Sequence, residues 1–288
     1  MRFAVCLCSA LILSAQVTAQ QSAPLDSKVS TILPRMNDHA LHTREAAFKD
    51  MLALVREGQK QTTEPDHAAA LAKFLKQHPE HADRIKLGLI QLLKADNADF
   101  QGENTPPGTY TGADMEHYAE VVHVVSSLND ERAIPALVNA MATGGMAQQA
   151  IFQYGDKALA PVLEQLKRQP DPHSASDLLA QVSALEMSFA LLAQRGDPAA
   201  QAEIRALIFL YVKAPSSNTR SIAVQEIDCL PDRQNFVPLL TEISKTDPER
   251  YPGEKPLDGG DNNQFYPVRA DARRVLRHIK NGETCDQP

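Results

Sequence analysis

The side chains best suited to chemistry in this chain of 288 residues are nine histidines, four cysteines and 36 carboxylates. His39 and His42, and again His78 and His81, are three apart. That spacing puts two imidazoles on one face of a helix, as a metal or acid–base site needs. No ligand set at helical spacing completes either pair. H-E-x-x-H, G-x-S-x-G, P-loop and GxGxxG patterns are all absent. The run Asp258-Gly259-Gly260-Asp261-Asn262-Asn263 gathers hard oxygen donors, but it lacks the EF-hand alternation and reads as a turn. The chain is therefore assigned no catalytic residue, no metal and no cofactor. Catalysis by residues that converge only in the fold stays open, as triads do.

The cysteines carry more information. Cys6 and Cys8 lie in an apolar stretch, Phe3 to Ala15, which follows Arg2 and precedes the small residues Val17-Thr18-Ala19. This is the pattern of an export signal, residues 1–19, with cleavage before Gln20. The stretch is shorter than the ~20 residues that span a bilayer, so no stable membrane anchor is expected after cleavage. Cys229 and Cys285 remain, an even pair in an oxidising compartment, and a structural disulfide is the expectation. The location is periplasmic or extracellular. The formal charge of −7 weighs against nucleic acid as a partner.

The elements that must position these residues are helices. Apolar residues recur at helical spacing in Phe48, Met51, Leu52, Val55 and in Ala68, Leu71, Phe74, Leu75. The same holds for Ile85, Leu89, Leu92, Leu93, for Tyr118 to Leu128, and for Leu178, Val182, Leu185, Phe189, Leu192. No stretch alternates as a strand would, and the class is all-α. Residues 20–43 read as a loose N-terminal arm or one short helix, and 44–81 as an N-terminal helical hairpin, a possible cap. Asp130, Asp156, Asp197 and Asp232 each follow one helix and open the next, where a carboxylate accepts from free first-turn N–H groups. Pro135, Pro161 and Pro238 follow at nearly constant offset and predict a bend repeated inside first helices.

The strings D-x-x-A-I-P-A-L-V at Asp130–Val138 and D-x-A-L-A-P-V-L at Asp156–Leu163 resemble the HEAT-repeat family, in particular its lyase-like branch. VRADARRVLRHI at 268–279 and NTRSIAVQEIDCLPD at 218–232 are similar to its second helices. The resemblance implies a right-handed α-solenoid of stacked antiparallel helix hairpins over residues 82–288. In such a stack, second helices line the concave face and their C-terminal ends are neighbours, which would bring Cys285 back to Cys229. Spacings between repeat starts are uneven, so irregular curvature is expected.

Two long loops interrupt the pattern, 96–114 and 247–267, and loops of that length are either functional or tolerated insertions. On the last helix Arg269, Arg273, Arg277 and Lys280 form a ridge, and Arg220 opens the preceding second helix at the matching place. Arg220, Arg269, Arg273 and Arg277 are a candidate partner-binding ridge, weighed against an ordinary solvated face. The functional expectation is an exported, non-catalytic scaffold that binds another protein or an extended peptide. The alternative is an enzyme, or an enzyme accessory protein, with its site among the long loops. Mass spectrometry of protein from its native host is expected to find an N-terminus near Gln20, and an intact Met1 would overturn the cleavage.

Overall fold

The computed structural model describes residues 24–57, 66–100, 111–143, 145–171, 173–252, 264–283 and 285. The signal-like residues 1–19, the calcium-like run 258–263 and the centres of both long loops lie outside them. Within the described residues the fold is all-α, apart from one short antiparallel pairing of Tyr251–Pro252 with Gln264–Phe265. The chain divides into two compact units between Ala140 and Met141.

The first unit opens with a helix over 24–35, α1, so most of the expected arm is ordered. It buries Val29, Ile32 and, just past its end, Met36. α1 lies so close to α4 (Pro79–Phe100) that a Cβ on Gly88 would meet Leu33 at 2.6 Å. α2 (Leu41–Glu57) and α3 (His67–Gln77) bury the apolar faces read from the sequence. Asp66 caps α3 by accepting from the N–H groups of Ala68 and Ala69. α5 (Gly112–Ser126) starts with a capping box, Thr111 with Asp114. A 3-10 turn then leads into α6 (Ile134–Ala140).

In the second unit α7 (Met146–Tyr154), α8 (Asp156–Lys167), α9 (Ala175–Arg195) and α10 (Pro198–Tyr211) are followed by α11 (Ser217–Glu226), α12 (Val237–Thr246) and α13 (Pro267–Asn281). Neighbours in sequence pack as pairs: α8 with α9, α10 with α11, α12 with α13. α11 also packs against both α9 and α13, so these three share a layer. α9 is long and apolar enough to cross a membrane by composition, but it is held between α8, α10 and α11 as a core helix.

Several local expectations need correction. Asp156 is the first residue of α8 rather than its cap; Gly155, at φ +56°, takes the cap position with no side-chain bond. Asp232 stands at its cap position, but its carboxylate accepts from no first-turn N–H, because Arg205 claims both its oxygens at 2.8 and 3.0 Å. Asp130 and Asp197 cap as expected. The prolines do not mark one repeated bend. Pro135 and Pro238 sit where a 3-10 turn becomes an α-helix, the place where a missing N–H costs least. Pro161 lies inside α8. The loop expected over 96–114 is shorter, because α4 continues to Phe100 and α5 begins at Gly112.

One polar arrangement occurs in both units. Arg44 is the fourth residue of α2 and 1% exposed. Its Nη1 donates to the carbonyls of Asp38 and His39, six and five residues back, at 2.9 and 3.1 Å. Its Nε donates to Asp96 at 2.8 Å and its Nη2 to Asp99, both near the end of α4. Arg220 is the fourth residue of α11. Its Nη1 donates to the carbonyls of Ala214 and Pro215, again six and five back, at 2.9 and 2.8 Å. Its Nε and Nη2 grip Asp247, at the end of α12, at 2.7 and 3.1 Å. Each carboxylate residue is held a second time, by the helix that follows its own. His117 of α5 meets Asp96 at 3.1 Å, and Arg269 of α13 donates to the Asp247 carbonyl at 2.6 Å.

Desolvation works against the charge on Arg44, but the hydrogen bonds to Asp99 and Asp96 outweigh it and its pKa is raised. Removing the arginine leaves buried carboxylates uncompensated, which costs about 3–5 kcal/mol. Arg44→Met and Arg220→Met are each expected to destabilise by that amount in denaturant titrations. Lys28→Ala, which breaks only the exposed pair with Glu57, should cost about 0–1 kcal/mol.

Candidate functional site

The site that emerges is a cavity of about 640 Å³ in the second unit. Helical spacing builds its walls. On α9, Glu186, Ala190 and Gln194 follow one another at intervals of four, and on α11 Ile222, Gln225 and Glu226 fall on one face. α7 contributes Gln148 and Phe152, and Met187 and Phe189 supply apolar surface. Cys229 and Cys285 lie at one end, with Arg274 of α13.

Two carboxylates in this cavity are held unlike others in the molecule. Glu226 is half-buried, and desolvation pushes its carboxyl up to about 7. Glu186 is exposed, yet desolvation raises its carboxyl as well. Neither has an ion pair or hydrogen bond with another side chain among the described residues. The neighbouring charges are satisfied. Arg274 pairs with Asp271 at 3.4 Å, and Asp228 receives Arg233 at 2.7 Å and meets Nδ1 of His278 at 2.6 Å.

The tail beyond α13 is clamped at the edge of this cavity. The Cα atoms of Cys229 and Cys285 are 5.1 Å apart and the sulfurs are bonded, so the pairing expected from the sequence is present. The bridge closes over a sequence separation of 56, worth about 4 kcal/mol in the chain-entropy model. His278 reaches Glu283 at 3.3 Å through Nε2, and Arg233 donates to the Glu283 carbonyl. The chain Asp228–His278–Glu283 has the composition of an acid–base relay. Both imidazole nitrogens are occupied and the adjacent sulfurs are bridged, so its evident role is to hold the tail.

The arginine ridge is broken up. Arg220 is not part of it, because it is buried in its clamp with Asp247. Arg269 is half-buried, with its guanidinium 4.1 Å from the centre of the Tyr266 ring. Arg273 and Arg277 are exposed, as is Lys280. His78 lies 3.5 Å from Glu80, and His81 is buried with neither ring nitrogen hydrogen-bonded. Among the described residues no group of three or more His, Cys, Asp or Glu side chains is placed to hold a metal ion. Sequence reasoning missed Glu186 and Glu226, which look like ordinary solvent-facing helix glutamates. It missed Asp228 and His278 because their partners are 50 residues apart. Comparison with protein-family models, with curated proteins and with solved structures finds no match.

Glu226 gives a test in pH. The folded carboxyl keeps its proton to about 7, while a glutamate's ordinary value is 4.5. The folded state therefore binds the extra proton, and this contribution to stability is complete below pH 4.5 and lost as pH rises to about 7. Glu226→Gln should match the parent in acid and exceed it by about 1–3 kcal/mol at pH 8, read from thermal melts across that range. Equal melting curves for the two at pH 8 would contradict the desolvation.

Proposed function

We propose that the chain is an exported, HEAT-like interaction scaffold that uses the cavity of its second unit to bind a segment of another protein. The observation that carries this reading is the cavity itself. Its walls are apolar, three glutamines and two unpaired glutamates line it, and these side chains are not bonded into a relay. Two glutamates without partners beside an apolar wall suit recognition of a partner that supplies the missing bonds. Pairwise packing of α8 to α13 in two layers supports the solenoid reading, and such stacks offer extended surfaces to partners. The Cys229–Cys285 bridge and the signal-like residues 1–19 support export.

An enzyme is the second reading, and Glu226 favours it. A carboxyl still protonated near pH 7 in a cavity has the properties of a general acid. No neighbouring group orients it, which weighs towards binding.

Site-specific photo-crosslinking separates the surfaces. A photoreactive residue at Phe152, which is 44% exposed on the cavity wall, should capture a protein partner in the export compartment. The same residue at the exposed Lys167 of α8 should not. Equal yields from the two positions, or none from Phe152, would sink the proposal.

A further inference from the structure

The cavity has a definite charge. α9 presents Glu186 and α11 presents Glu226, each without a partner, and α7 presents no charged residue. The 3-10 turn after α11 presents Asp228, neutralised by Arg233 and bonded to His278, which also faces Glu283. α13 presents Arg274, engaged by Asp271. The surplus is negative and sits beside apolar surface from Phe152, Met187 and Phe189. A ligand complementary to this lining carries a cationic head on an apolar stem. The carboxamides of Gln194 and Gln225 can donate to and accept from peptide groups, and Gln148, whose Nε2 donates to the Met141 carbonyl at 3.5 Å, can accept from one; a free amine would not use these groups. At about 640 Å³ the space exceeds the needs of one side chain and leaves room for flanking backbone.

We propose that the cavity receives a lysine or arginine side chain of an extended protein segment. The stem lies along Phe152, Met187 and Phe189, the charged head meets Glu226 and Glu186, and the glutamines bind the adjoining peptide groups. This rests on the interaction reading and names the chemistry of the partner. The binding is sensitive to pH. The lysine ammonium stays charged well above neutrality, while Glu226 ionises only near pH 7, so affinity rises from pH 6 to pH 8.

The test uses the mature protein with its disulfide intact and defined probes, in calorimetric titrations. The probes are the acetylated, amidated pentapeptide Ala-Ala-Lys-Ala-Ala, the same peptide with norleucine for lysine, and n-butylammonium. The lysine peptide should bind about tenfold tighter than the norleucine peptide, the worth of one charge-assisted contact. It should also bind tighter than n-butylammonium and gain several-fold between pH 6 and pH 8. Glu226→Gln should weaken it about tenfold and flatten the pH dependence. Glu186→Gln, at an exposed position, should weaken it without disturbing the fold.

Equal binding of the lysine and norleucine peptides, or no binding of either, would overturn the proposal. So would n-butylammonium that binds as tightly as the lysine peptide, since the cavity would then be a free-amine site. A pH dependence that survives Glu226→Gln would overturn the role given to that carboxyl. Crosslinking at Phe152 reports separately. Capture there together with failed peptide binding would leave the scaffold and discard the basic side chain.

Discussion

A guanidinium buried at the start of a helix is the interaction on which both units depend. Arg44 and Arg220 each do two things at once. One nitrogen donates to two carbonyls of the turn just before the helix, and the others reach a carboxylate near the end of a second helix, α4 or α12. The turn carbonyls, most of them partly covered, gain a donor they would otherwise have to find in water. The carboxylates, Asp96 and Asp247, would otherwise be buried charges. Only arginine has enough donors in a fixed planar fork to serve all of them, and lysine at the same place would leave some unmet. Hydrophobic packing sets how close the helices lie, but it is tolerant of sliding. The clamp fixes the register of α2 against α4 and of α11 against α12.

The same logic explains the tail. α13 packs against α11 and α12, and the residues just past its end have no helix of their own to hold them. Three interactions converge there: the Cys229–Cys285 bridge, the His278 contact to Glu283, and the Arg233 bond to the Glu283 carbonyl. Asp228 joins them by receiving both Arg233 and His278. With the tail held, the end of the cavity that Cys229 and Cys285 line is held as well.

Much of this fold was legible in the sequence because helical periodicity is a local signal. The faces of α2 to α5 are buried as their spacing implies. α9 departs in its first turns, where Leu178 and Val182 are half-exposed. Local rules failed where a distant residue competed. Asp232 had every property of a helix cap, but a guanidinium outbids backbone N–H groups and Arg205 is within reach. Arg220 fitted a surface ridge by its spacing, yet its partner is 27 residues away. The apparent loop residues Asp96 and Asp99 belong to a helix, because Arg44 neutralises carboxylates that would be poor helix formers unpaired. The cavity was not legible at all. Its polar residues come from four helices and the 3-10 turn after α11, and none forms a motif with its neighbours in sequence.

The contrast between the two kinds of carboxylate is what separates framework from site. Asp96, Asp228 and Asp247 are more deeply buried than Glu226, and each is met by a cation or imidazole placed to satisfy it. A fold that supplies such partners repeatedly has the means to neutralise Glu226 and does not. Arg274 is near, but Asp271 takes it, and Asp271 is further fixed by the Ser221 hydroxyl at 2.7 Å. The result is a carboxyl whose lowest-energy state in the free protein is protonated up to about pH 7. A half-buried carboxyl left without a partner costs stability when it ionises. Such a cost is characteristic of sites that recover it on binding, when an incoming donor or cation restores the missing bond.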